Sequence, residues 1–300
     1  MLLLFPRDVR VKPYYTFRHM TKTTQKKSNK SKLLCFAGLW GLMDDPKHRG
    51  MTRLEAMKRS KAAGFDGIAV GADGEMIRET YEVGLDRLCG ASCNETNFAQ
   101  SILVAHSTNS RRINVQFYDH DTPPKVAVRG WLKLERFAEQ LGASVDLEVH
   151  RDTCTETPEK TWEIADRYQQ ITGRLIRMNF DFSHFALTKH IGAPYANRLL
   201  EHPELIQNAR QLHLRAFNGH HCQIPVVDAK GKLTPEGRDY LEFVDALLKC
   251  WLKGAKHGED LCIMPEQLTW AGYQLDTFPP VWNDMCVIME QARKTWAAVS

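Results

Sequence analysis

The chain has 300 residues, 43% of them hydrophobic and 25% charged, with a formal net charge of +4 at pH 7. This is the composition of a globular, enzyme-sized protein, and no stretch approaches the ~20 consecutive apolar residues that would cross a bilayer. The charge is unevenly placed: nine basic side chains against Asp8 alone give residues 1–32 a charge of +8, which leaves −4 for the rest. A basic footprint confined to a Ser/Thr/Lys-rich arm argues against nucleic-acid binding by the body. Residues 1–32 are therefore expected to be a flexible basic arm, and 33–300 a single domain. The opening MLLLF is too short for a signal-peptide core and has no basic segment before it, so the expected location is the cytoplasm. None of the eight cysteines has the paired spacing of a thiolate zinc site, and buried free thiols are expected.

The periodic segments alternate between strand and helix. LCFAG (34–38) reads as a first strand, and TRLEAMKRSKAAG follows with helical spacing of Leu54, Met57 and Ala62 before Gly64 stops it. FDGIAV (65–70) is a second strand, a helix covers about 75–83, and GLDRLCG is a weaker third strand. After a helix within 95–109 comes INVQFYD (113–119), then a long helix through Val128, Leu132, Leu134, Phe137 and Ala138 to Gly142. VDLEVH (145–150), LIRMNF (175–180), LHLRAF (212–217) and LCIMPE (261–266) supply strands five to eight, with helices near 159–172, 203–209, 235–253 and 281–297. Eight strand–helix repeats without a midchain linker predict an α/β fold closed as a TIM (β/α)8 barrel. No GxGxxG turn or phosphate loop is present, so neither a nicotinamide cofactor nor a nucleoside triphosphate has a binding motif.

Four of these strands end on groups that seldom sit in a core: Glu148, Asp181, His213 and Glu266. Each has an ordinary reading: Glu148 could pair with Arg177, Asp181 could cap a helix, and His213 could be a satisfied core histidine. Their joint occurrence on strands five to eight is harder to explain, because an unpaired buried charge costs several kcal/mol or forces neutralisation. In a barrel the ends of successive strands converge on one face, where one divalent ion could be shared. Three carboxylates and an imidazole suit Mn²⁺, Mg²⁺, Co²⁺ or Zn²⁺, and the lack of thiolates argues against a structural zinc site. His184 follows Asp181 by three residues, His150 shares a strand face with Glu148, and Arg215 follows His213 by two. His220 and His221 lie on the loop after strand seven. Trp40 and Phe217 lie where a barrel presents its active face, and Phe117, Trp270 and Phe278 could add to a pocket wall.

On these residues the chain resembles the xylose-isomerase-like superfamily of barrel enzymes, the sugar phosphate isomerases/epimerases, over roughly residues 33–298. The resemblance rests on Glu148 at strand five, Asp181-x-x-His184 after strand six, His213 in LHLRAF and Glu266 near the end of strand eight. It implies that Glu148, Asp181, His213 and Glu266 hold one divalent metal, with Mn²⁺ favoured. It further implies that Glu148 and Glu266 are the catalytic acid/base pair on a keto sugar or related polyol, acting through a metal-stabilised enediolate. His184 would contact substrate, with His150, Arg215, His220, His221, Trp40 and Phe217 as further candidates for substrate binding. Related epimerases place an arginine, often in an Arg-His pair, on the loop after the strand-seven histidine, whereas this chain has FNGHHCQIPVVDAKGKL. That departure leaves dehydration of a cyclic keto-polyol or dehydroshikimate open beside isomerisation, and a non-catalytic ligand-binding barrel open as well. The abasic-site endonucleases of the superfamily need an Asp-x-His pair that Asp228-Ala229-Lys230 does not supply. The partners expected are a small polyhydroxylated substrate and, in a homo-oligomer, further copies of the chain, with no membrane.

Overall fold

Eight parallel strands alternate with helices, each strand pairing with the next until the eighth pairs with the first and closes a barrel. This computed structural model describes residues 31–255 and 258–300. Apart from Ser31 and Lys32, the expected basic arm lies outside the described residues. The strands are β1 (Leu33–Ala37), β2 (Gly67–Val70), β3 (Asp86–Cys93), β4 (Arg112–Phe117), β5 (Val145–Val149), β6 (Met178–Asp181), β7 (Gln211–His213) and β8 (Leu261–Met264). The helices are α1 (Trp40–Met43), α2 (Arg53–Ala62), α3 (Gly74–Val83), α4 (Phe98–Ser107), α5 (Pro124–Leu141), α6 (Pro158–Thr172), α7 (Phe182–Thr188), α8 (Ala196–Leu199), α9 (Pro203–Asn208), α10 (Pro235–Gly254) and α11 (Val281–Val299). No described helix is long and apolar enough to cross a membrane.

Local chemistry starts and stops these elements where the barrel needs it. Thr52 and Glu55 form a reciprocal capping box that opens α2. Proline at the first turn opens α5, α6 and α10, where its missing N–H costs nothing. Gly142 ends α5 at φ +70°, a left-handed turn that brings the chain back into β5.

The main core lies between the strands' outer faces and the helices, with Trp131 and Trp251 fully enclosed. Trp251 also donates from its indole to the carbonyl of Ala209 at 2.8 Å. Inside the barrel a smaller apolar plug of Phe36, Leu88, Cys262 and Met264 fills the side nearest β1 and β8. The opposite interior wall is polar: Arg112 and Asp146 form a buried ion pair on β4 and β5. Asn114 and Glu148 each follow that pair by two residues on the same faces.

Several boundaries differ from the sequence expectation. β3, anticipated as the weak strand, is the longest, because six of its residues pair with β4 while their small side chains leave little hydrophobic signal. β7 stops at His213, although the Leu214 amide still donates to Met264 and carries the extended chain to Arg215. β8 stops before Pro265, which has no amide to donate. The short α7 and α8 had no periodic signal of their own.

Candidate metal centre

The register of the last strands sets the site. Glu148 lies opposite Asn179 across β5 and β6, and Asp181 lies opposite His213 across β6 and β7. Glu266 follows β8 by two residues. As a result Glu148, Asp181, His213 and Glu266 each offer a ligand atom within 4.8 Å of the others. Glu148, Asp181 and His213 are buried, and Glu266 is the most open at 15% exposed.

The contacts among them are close but poorly directed. His213 Nδ1 is 3.0 Å from Glu148 Oε1 and 2.9 Å from Glu266 Oε2. Yet neither oxygen lies where that nitrogen would direct a hydrogen bond, and Nδ1 has no hydrogen-bond partner. Asp181 Oδ2 is likewise orphaned, with Arg215 Nε at 3.2 Å and His184 Nε2 at 3.4 Å. These groups converge on a shared space rather than on each other. Buried polar atoms left in that state cost about 1–3 kcal/mol each, and a cation at the centre would satisfy them together. The donor set, three carboxylates and one imidazole, therefore fits a divalent ion.

Asp181 shows how one residue meets both an ordinary and a special demand. Its Oδ1 caps α7, accepting from the Ser183 amide at 3.0 Å and the Ser183 hydroxyl at 2.6 Å, while Oδ2 faces the site. Glu148 is oriented by Asn114, whose amide donates to Oε2 at 2.7 Å; Asn114 in turn accepts from Asn179 at 2.7 Å. On the histidine's far side, the Gln211 amide nitrogen lies 3.0 Å from Nε2. Arg215, fully buried, donates from Nη2 to Glu266 Oε2 at 2.7 Å, and its guanidinium carbon sits 4.4 Å from the Tyr273 ring centre. Asn114, Asn179, Gln211 and Tyr273 were not singled out in the sequence. The three amides have a weak signal there, since each sits two residues from a charged or imidazole group on a buried strand.

The electrostatics follow from this packing. Burial opposes ionisation of Glu266, but His213 and Arg215 outweigh it and hold its carboxyl down to about 2. Burial opposes charging His213, yet Glu266 and Glu148 carry its imidazole up to about 10. Glu148 is held below the usual carboxylate range against its own burial, chiefly by His213, and Asp181 chiefly by Arg215. His184 is pushed the other way: burial lowers it despite the pull of Asp181.

The remaining predicted site residues separate into those near the centre and those away from it. His150 packs against His184, with ring centres 4.2 Å apart. Trp40 donates to the Gln267 carbonyl at 2.7 Å, stacks edge-on with Trp270, and shares a cavity with His213 and Glu266. Phe217, expected at the pocket wall, instead lies in an aromatic cluster, 4.9 Å from Tyr195 and 5.5 Å from Phe243. The strand ends before it and the chain turns it outward into the core between barrel and helices. Phe117 packs against Trp131 in the same layer. His220 and His221 are exposed: their amides bond Asn218, and the His220 ring faces His190 at 5.8 Å.

The cavity above the interior plug measures about 180 Å³ and is lined by Trp40, Leu88, Gly90, Gln116, His213 and Glu266 among others. A larger cleft of about 500 Å³ between residues 47–51 and α2 lies on the surface and contains none of the converging groups.

Solved barrel structures share this architecture. The chain is similar to a xylose isomerase-like TIM-barrel protein from Mycobacterium smegmatis in complex with magnesium, with 13% identity, a TM-score of 0.54, and 91% of this chain and 99% of that one covered. The fold shared with it is a closed (β/α)8 TIM barrel. An L-ribulose 3-epimerase is also similar in fold, at 13% identity and a TM-score of 0.52, over 89% of this chain and 97% of that one. So is a probable 3-DHS dehydratase from Bacillus anthracis, at 14% identity and a TM-score of 0.51, over 88% and 98%. No family model and no curated protein matches the chain.

Proposed function

We propose that this protein is a divalent-metal-dependent isomerase or epimerase of a small keto sugar or related polyol. The observation that carries the reading is the convergence of two ionised carboxylates, Glu148 and Glu266, on His213 from opposite ends of the β5–β8 arc, beside a cavity of about 180 Å³. That volume is roughly that of six water molecules, the scale of a small sugar. No Lys or Arg is among the residues lining the cavity, so an uncharged polyol suits it better than a phosphorylated one.

A divalent ion held by Glu148, Asp181, His213 and Glu266 would polarise a substrate carbonyl and stabilise enediolate charge. The protein's own groups supply the rest. On this reading Glu148, held by Asn114, takes a proton from carbon, and Glu266, the more open carboxylate and a lining residue of the cavity, returns or relays one. Asn114 and Gln116 can bind hydroxyls, while Trp40 provides an apolar wall and helps exclude water. Because the epimerase and the dehydratase of similar fold would both begin from abstraction of a carbon-bound proton, a lyase outcome is the second reading. Residues 217–233, FNGHHCQIPVVDAKGKL, hold no arginine, and that departure favours keeping it.

The test is exchange of a carbon-bound substrate proton in deuterated water, across keto sugars and cyclic keto-polyols, with and without Mn²⁺. Metal-dependent exchange is expected, with loss in Glu148→Gln and Glu266→Gln. Product analysis then separates isomerisation, epimerisation and dehydration. No exchange with any substrate in a metal-loaded protein would favour a non-catalytic binding barrel, and cleavage of abasic duplex DNA would favour a nuclease.

A further inference from the structure

We infer that Arg215 is a second, permanent cation of the metal centre, setting its charge so that one divalent ion makes the cluster neutral; this rests on the metal reading above. The guanidinium is not a surface group that has folded inward. It is fully buried, bonded to Glu266 at 2.7 Å, 3.2 Å from Asp181, and 4.4 Å from the Tyr273 ring centre. Glu266 Oε2 is thus shared between His213 Nδ1 and Arg215 Nη2.

The charges decide what such a group does. Glu148, Asp181 and Glu266 carry three negative charges, and Arg215 returns one positive charge that no accessible pH removes. With neutral His213 the core stands at −2, which one divalent ion cancels. A neutral residue at 215 would leave −3, a stronger trap for the ion and a costlier cluster to bury without it. An arginine acting only as a scaffold would behave oppositely, because its loss would loosen Asp181 and Glu266 and weaken metal binding. Arg215 is therefore a positioning and charge-setting residue, placed beside two ligands where the sequence suggested a substrate contact.

Titration calorimetry of the full chain with Mn²⁺ alone separates these roles. Arg215→Gln, which keeps hydrogen-bond donors but not the charge, should bind Mn²⁺ about tenfold more tightly than wild type, whereas Arg215→Lys should stay within about threefold. Equal or weaker binding by Arg215→Gln overturns the inference. If Arg215→Gln folds only when Mn²⁺ is present, monitored by circular dichroism, the charge role is supported; a variant that Mn²⁺ cannot rescue overturns it. Failure of the wild type to bind Mn²⁺ defeats the metal reading itself, whereas wild-type binding without tightening in Arg215→Gln defeats this inference alone.

Discussion

The Gln211 side-chain amide lies 3.0 Å from Nε2 of His213, two residues along the same strand, and its own Oε1 is buried without a partner. Turning that amide end for end lets Oε1 accept an Nε2–H, which frees the Nδ1 lone pair to face the carboxylates. That is the tautomer a metal ligand needs, and groups behind a ligating histidine commonly contribute 10–100-fold to metal affinity. Gln211→Leu should therefore weaken Mn²⁺ binding by about that factor while leaving the far-ultraviolet circular dichroism unchanged. Calorimetry giving the wild-type affinity would show that the amide does not set the tautomer.

Asn114 links Glu148 to Asn179, so its loss should be felt in both stability and chemistry. Asn114→Leu leaves the Glu148 and Asn179 side chains without these bonds in a buried wall. The expected cost is about 1–3 kcal/mol in urea unfolding, together with a lower rate of substrate proton exchange. A stability loss without any change in exchange would mean that Glu148 is oriented by other contacts.

The metal-free and metal-bound proteins should respond differently to pH. His213 is raised from 6.5 to about 10 in the folded chain, so its contribution is complete below pH 6.5 and is lost as pH rises through about 10. Glu266 is lowered from 4.5 to about 2, so its contribution is present above pH 4.5 and is lost as pH falls through about 2. From these two groups the metal-free Tm should be highest between pH 4.5 and 6.5. Because a ligating imidazole must give up its proton, Mn²⁺ binding near pH 7 should release about one proton and tighten with pH. Calorimetry in buffers of different ionisation enthalpy measures that proton directly; none released would place His213 neutral in the free protein.

The four converging groups were legible in the sequence because each closes an apolar run, a position where charge is costly and therefore informative. Their supports were not. Asn114, Asn179 and Gln211 are neutral amides inside strands, and a single polar residue in a half-apolar run is ordinary in any barrel wall. Tyr273 sits in an irregular loop, where no periodicity marks which residue turns inward, yet its ring meets both Arg215 and Arg151. Phe217 was expected at the active face because it follows strand seven, yet a position after a strand does not fix which way the chain turns, and here it packs against Tyr195 and Phe243. The fold was more accessible, since seven strands carry strong apolar runs and helix caps such as Thr52 and Gly142 are written in single residues. β3 was faint for a reason that bears on function: its Gly90-Ala91-Ser92 segment is small where the barrel opens.

Gly90 shows what that smallness does. It lines the central cavity, and a Cβ built on it meets nothing within 4 Å. Its φ is not in the left-handed region, so a larger residue is admitted by the backbone and would project into open space. A leucine there adds roughly four methylene-sized groups to a cavity of about 180 Å³, enough to compete with a sugar for the space. Gly90→Leu should fold, bind Mn²⁺ with wild-type affinity and lose substrate proton exchange at least tenfold through a raised KM. Retention of full exchange at low substrate concentration would move the substrate away from the β3 side of the barrel. A fall in Mn²⁺ affinity would instead mean that the cavity and the metal centre are mechanically coupled through Gln116 and Asn114.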